Sequence, residues 1–100
     1  MLYYTQIIFV KSGQEDQFNL FESYVLPLLK KYNGTLIYRV RPGDSAVIET
    51  TIGNPYELHL VTFPAKEDFV GYSGDAERLK YLPLKDGSIE RVLLIEGKLL

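Results

Sequence analysis

The stretch "PYELHLVTFP", residues 55 to 64, carries the chain's one histidine between two leucines, with a glutamate two positions before it. His59 has an ordinary pKa of about 6.5, close enough to neutrality for acid–base work. If the stretch is a strand, Glu57 and His59 face the same way, about 6.6–7 Å apart along it. The carboxylate can then hold and polarise the imidazole, directly or through a water. Arg39 and Arg41, in "TLIYRVR", share a face in the same manner and present two guanidinium forks shaped for a carboxylate or a phosphate. A candidate proton-transfer pair, His59 and Glu57, thus stands beside a candidate anion-binding pair. Each has a plainer alternative: a hydrogen-bonded histidine filling the sheet, a glutamate facing solvent at the strand's end, and arginines on a solvated rim or in an ion pair between subunits.

Those side chains need a scaffold. Residues 3 to 10, "YYTQIIFV", are largely β-branched and aromatic, too short for a helix and followed at once by "KSGQE", which reads as a first strand. Ser12 and Glu15 have the S-x-x-E spacing of a capping box, so a helix is expected to begin there. Phe18, Phe21, Val25, Leu28, Leu29 and Tyr32 follow mostly three and four apart. They form one apolar stripe, with Glu22, Lys30 and Lys31 mostly turned away. Pro27 should bend this helix, and "NG" at 33 and 34 should end it in a left-handed turn. Residues 35 to 41 read as a second strand and 56 to 63 as a third antiparallel to it, with a short extension in "SAVIETTIGNP" between them. "AKEDFVGY" reads as a short helix and Asp75 as the cap of a further turn or two, "AERLKYL", ended by Pro83. "RVLLIEG", 91 to 97, reads as a fourth strand. The order β-α-β-β-α-β is the ferredoxin-like arrangement, an α+β fold of four antiparallel strands with both helices on one face.

At 100 residues the chain has room for a single domain, residues 1 to 100, around one core. It is 46% hydrophobic and 24% charged with a formal net charge of -2, a globular balance with nothing basic enough to favour nucleic acid. No cysteine is present, which excludes disulfides and thiolate nucleophiles and, with one histidine, leaves no usual zinc ligand set. No metal is expected. The apolar run at the N-terminus lacks a positive flank and is far shorter than the roughly 18–20 residues of a membrane span, so neither a signal nor a membrane association is expected and a cytoplasmic location is the default. Nucleotide-binding glycine loops and nucleophile elbows are absent.

Alternation along the strands raises the question of what covers the sheet. Strand one alternates Thr5, Ile7 and Phe9 with Tyr4, Gln6 and Ile8, and strand three alternates Leu58 and Leu60 with His59 and Val61. Both faces are thus largely apolar. Exposed apolar patches beyond about 300–600 Å² mark interaction surfaces. The expected cover is a second copy of the same sheet, in a homodimer packed face to face about a two-fold axis. A partly polar cavity would remain between sheet and helices in each subunit. Tyr4, Gln6, Tyr38 and Tyr72 are expected in its walls, and Asp75, Arg78 and Tyr81 near its mouth.

Two segments, "FESYVLPLLKKYNGTLIYRVRP" and "ELHLVTFPAKEDFVGYSGDAERLKYLPL", carry a likeness that extends over nearly the whole chain. With an aromatic-rich first helix, a strand ending in R-x-R-P, and "FP" followed by a short helix and an aspartate-capped turn, the chain resembles the dimeric α/β barrel superfamily. It is similar in particular to an uncharacterised small-domain branch related to antibiotic-biosynthesis-type monooxygenases, muconolactone-isomerase-like and YCII-like proteins. The resemblance implies the ferredoxin-like fold and a homodimer, and it admits cofactor-free monooxygenase or isomerase activity. In such chemistry a reactive phenol or lactone supplies its own electrons, while the protein supplies a dry pocket and one proton-transfer residue. The expected function is a cavity for an apolar or anionic small molecule with His59 as its acid–base or orienting group. The alternative is a non-catalytic ligand-binding or dimerisation module whose broken second helix acts as a lid or a partner surface.

Overall fold

In the computed structural model, which describes all of Met1–Leu100, four strands form one antiparallel sheet in the order β2-β3-β1-β4. They are β1 (Leu2–Val10), β2 (Thr35–Val40), β3 (Glu57–Phe63) and β4 (Ile89–Gly97). With helices between β1 and β2 and between β3 and β4, the expected α+β, ferredoxin-like arrangement is present. One parity of the central strands, including Tyr4, Ile8, His59, Val61 and Phe63, is buried because the helices lie on that face.

Helix α1 spans Glu15–Val25 and buries Phe18, Phe21 and Val25 as the stripe predicts. Its start differs from expectation. Lys11–Gln14 form a turn with Gly13 at φ +84°, so the helix begins after Ser12 with Gln14 at its cap and no side-chain capping bond. Pro27 does more than bend the helix. The α-helical bonding stops at Val25, and Leu26–Tyr32 continue as a 3₁₀ helix with the proline in its first turn, where its missing N–H is not needed. Asn33 then adopts the left-handed conformation at φ 60°, as "NG" requires. A Cβ on Gly34 would stand 2.7 Å from the Phe63 ring, so only glycine allows this close return to the sheet.

Residues 41 to 56 form turns and no strand, contrary to the extension expected there; Pro42, Gly43, Gly53 and Pro55 break the segment. It is tied down where Tyr56 N–H donates to the Ile8 carbonyl at 2.8 Å and where Arg91 donates to the Ile52 carbonyl. Beyond β3, α2 (Lys66–Ser73) is followed by Asp75, which caps α3 (Ala76–Lys80) by accepting from Arg78 N–H at 3.0 Å. Pro83 opens a further helix, α4 (Leu82–Ser88), where it was expected to end one; a proline in a first helical turn is preorganised for the helix. The fourth strand accordingly begins at Ile89. Lys31 and Tyr32 also donate to the Asp75 carboxylate, at 2.7 and 2.6 Å, joining the helical segment before β2 to the one after β3.

The other face of the sheet carries no helix. Tyr38, Leu93 and Ile95 on it are 62%, 42% and 54% exposed, beside the partly buried Thr5, Ile7, Leu58 and Leu60. No helix is long and apolar enough to cross a membrane.

Candidate functional site

Glu57 opens β3 with its side chain fully buried. A buried carboxylate is tolerable only when its oxygens are met by donors, and here three converge. Arg41 Nε donates to Oε1 at 2.8 Å, Arg39 Nε to Oε2 at 2.9 Å, and His59 Nε2 meets the same Oε2 at 2.5 Å. Strand register explains the meeting: Arg39 pairs with His59 across β2 and β3, and period-two alternation brings Arg41 and Glu57 to the same face. Arg41 is further held by Asn19 Oδ1 at 2.5 Å and lies 5.0 Å over the Tyr56 ring. The two arginines therefore bind an anion, as their forks suggest, but that anion is the protein's own Glu57. They do not line the cavity.

Burial pushes the Glu57 carboxyl up, yet its hydrogen bonds from Arg39, Arg41 and His59 outweigh this and hold it below the usual range. For His59, burial outweighs the opposing pull of Glu57 and the ring's pKa is lowered. The site at neutral pH is thus a neutral imidazole on an ionised carboxylate. With Nε2–H donating to Glu57, Nδ1 is the ring atom left without a protein partner, and the ring lines a recess of about 30 Å³. A carboxylate that fixes the tautomer and steadies the imidazolium when the free nitrogen takes a proton is the arrangement of a general base.

That recess shares Gln6, Phe21, Glu22, Phe69, Tyr72 and Arg78 with a larger cavity of about 470 Å³, which extends along α3, α4 and β4 to Leu82, Lys85 and Leu94. Tyr4, Gln6 and Tyr72 stand in the walls. Tyr4 is fixed by donating to Glu96 at 2.6 Å and by stacking on Phe69 at 4.1 Å; burial, with Glu96 beside it, pushes its phenol up to about 12. Tyr72 donates to the Val25 carbonyl at 3.2 Å. Tyr38 is not in the walls. It pairs with Leu60 across a β2 bulge and points to the open face, the parity opposite to His59. Asp75 is occupied as a cap, and Tyr81 stacks on Tyr24 at 4.3 Å; neither lines the cavity.

Sequence reasoning passes over Glu22 and Lys85 in this site. Glu22, expected to turn away, is 5% exposed, lines both spaces and makes no hydrogen bond or ion pair. Burial pushes its carboxyl up to about 7, a rise that Arg39, Arg78 and Lys85 restrain and Glu57 assists. The signal was available: Glu22 lies four residues after Phe18 and three before Val25, on the buried stripe itself. Arg78, from α3, completes the polar part of the wall. Its guanidinium lies 5.0 Å over the Tyr72 ring and donates to the Ser73 carbonyl at 3.3 Å, while its buried Nε has no acceptor. No group of three or more His, Asp or Glu side chains is placed to hold a metal ion.

No described protein family matches the chain, and no curated protein matches it in sequence. Solved structures do. The chain is similar to a putative antibiotic biosynthesis monooxygenase from Nitrosomonas europaea, with TM-score 0.76 and 10% identity over 100% of this chain and 99% of that one. It is similar to a DABB family protein with a ferredoxin-like fold from Mesorhizobium loti, with TM-score 0.71 and 15% identity over 99% and 96%. A dimeric protein of unknown function and ferredoxin-like fold from Bacteroides fragilis matches with TM-score 0.69 and 8% identity over 98% and 95%. At such identities the likeness is one of fold. Fold and site together define a ferredoxin-like α+β protein with a buried His–Glu–Arg cluster beneath a helix-lined cavity. The solved proteins it resembles in fold are of the kinds the sequence resembles, antibiotic-biosynthesis monooxygenase and dimeric ferredoxin-like types.

Proposed function

We propose that the chain forms a homodimer through its open sheet face and that each subunit's cavity binds an apolar or anionic small molecule, on which His59 acts in proton transfer in a cofactor-free monooxygenase-like or isomerase-like reaction. The observation that carries this reading is the Glu57-bound imidazole, neutral at pH 7, with Nδ1 free beside a largely apolar cavity. In that environment Nδ1 takes a proton from an activated O–H or C–H, and Glu57 stabilises the imidazolium so formed. For isomerisation the proton returns to another atom of the same molecule; for oxygenation the resulting anion supplies electrons to dioxygen.

The single histidine makes the test direct. In an NMR titration of the His59 ring, the expected result is a pKa below about 6.5 that moves when small aromatic or lactone compounds are added. A depressed pKa unmoved by every compound, together with a His59→Gln chain that binds them as well as wild type, would assign the ring a purely structural part. Turnover separates catalysis from binding: the enzyme reading expects His59→Ala to abolish oxygen uptake or isomerisation, whereas a ligand-dependent melting shift with no turnover supports the non-catalytic module.

The dimer rests on the apolar open face and on the dimeric description of the Bacteroides fragilis protein of the same fold. Placing a charge at Leu93 or Ile95 buries it unpaired if two sheets meet there. Sedimentation analysis should then show a dimer at micromolar concentration for the wild-type chain and a monomer for Leu93→Arg. A monomeric wild-type chain would sink the interface.

A further inference from the structure

Arg39 and Arg41 are spent on Glu57, so an anionic ligand needs another cation. The only buried side-chain nitrogen or oxygen that lacks a hydrogen-bond partner is Arg78 Nε, a donor in the wall where recess and cavity meet. Lys85 stands on the same cavity wall from α4. In the same lining is Glu22, a carboxyl with no hydrogen bond and no ion pair. A buried donor without an acceptor costs free energy, and that cost is recovered when a ligand brings the acceptor. Apart from Gln6, Tyr72 and Ser73 the rest of the lining is apolar, with Phe21, Phe69, Leu79, Leu82, Val92 and Leu94 among its walls. Its volume of about 470 Å³ suits a bicyclic aromatic or medium-chain body.

We propose that the cavity takes a small aromatic or medium-chain carboxylic acid, whose carboxylate is held by Arg78 with Lys85 nearby while Glu22 is protonated alongside and donates to it. This rests on the cavity-binding reading above and names the ligand class for it. The groups around Glu22 agree with a neutral carboxyl in the complex. Arg39 from β2 is committed to Glu57, Glu57 and the neutral His59 face it from β3, Tyr72 from α2 donates elsewhere, and Arg78 and Lys85 come from α3 and α4. An incoming carboxylate adds a second negative charge beside Glu22, which favours the protonated form further. Binding therefore takes up a proton above pH 7, and affinity falls as Glu22 ionises.

Isothermal titration calorimetry with 2-naphthoate and its neutral counterpart 2-naphthamide tests each part. Wild-type chain should bind the acid more tightly than the amide, and should lose about tenfold in acid affinity between about pH 6 and about pH 8. The ligand is already ionised across that range, and the Glu22→Gln chain, which keeps His59, separates the Glu22 contribution from that of the imidazole. Arg78→Gln should weaken the acid roughly ten- to hundredfold and leave the amide unchanged, the amide serving as proof that the cavity is folded. Glu22→Gln should bind the acid with no pH dependence. Equal wild-type affinities for acid and amide overturn the carboxylate assignment while the cavity reading stands, and a flat wild-type pH profile overturns the part given to Glu22. Failure of both compounds to bind overturns the ligand class and the cavity reading together.

Discussion

Glu57→Gln is expected to destabilise the fold by about 3 kcal/mol, measured by urea denaturation at pH 7. The substitution keeps volume, so no cavity term enters. It replaces two acceptor oxygens, which receive donors from Arg39, Arg41 and His59, by one acceptor and an NH₂ group that faces further N–H donors. The estimate sits at the lower end for a broken buried ion pair because Arg39 and Arg41 side chains are 33% and 48% exposed and can regain water, whereas the His59 ring cannot. The difference should depend on pH with a definite sign. A carboxyl held below its unfolded pKa contributes stability that is full above about pH 4.3 and is lost as pH falls through the folded value. The variant and wild type should accordingly converge in acid. A loss of less than about 0.5 kcal/mol at pH 7, of the size typical of surface changes, would mean that the cluster contributes little to stability.

Glu22→Gln is expected to do the opposite. With its carboxyl pushed from 4.5 to about 7 by burial, the folded chain holds a proton that the unfolded chain releases in that interval. Stability is then full below about pH 4.5 and declines as pH rises towards about 7, by about 3 kcal/mol in all. Glutamine carries no charge at any pH. The variant should match wild type near about pH 4.5 and exceed it by about 3 kcal/mol at about pH 8, read as a pH series of urea midpoints at constant slope. A residue whose ionised form weakens the fold, retained in a cavity wall, fits a group with work to do there. Equal stability of the two chains at pH 8 would mean that the ionised carboxylate finds water or a counter-ion.

The pH terms of the two glutamates run against each other, and that contrast shows where local pattern stops being informative. Both are single carboxylates among apolar neighbours in sequence. Glu57 could be paired with His59 before any fold was known, since residues two apart on a strand share a face. The same period assigned Arg39 and Arg41 to one face, and the spacing of Phe18, Phe21 and Val25 assigned the buried side of α1. Capping gave Asp75 its place, and the order of strands and helices gave the ferredoxin-like architecture. Errors at this level were local competitions: a glycine turn displaced the Ser12 cap, and Pro83 opened a helix because its first turn tolerates a proline.

What these rules could not reach was anything that depends on which distant segments meet. The register of β2 against β3 set Arg39 opposite His59 and turned both arginines onto Glu57, while a bulge after Leu36 sent Tyr38 to the open face. The packing of α4 against α1, with α3 beside α4, placed Arg78 and Lys85 in one cavity lining with Glu22 and left one guanidinium nitrogen unsatisfied. Local propensity and periodicity are properties of a few consecutive residues and survive in the chain as written. Register, burial and the pKa values that follow from burial arise from contacts between residues far apart in the chain. Only the closed sheet and its helices bring those contacts into being.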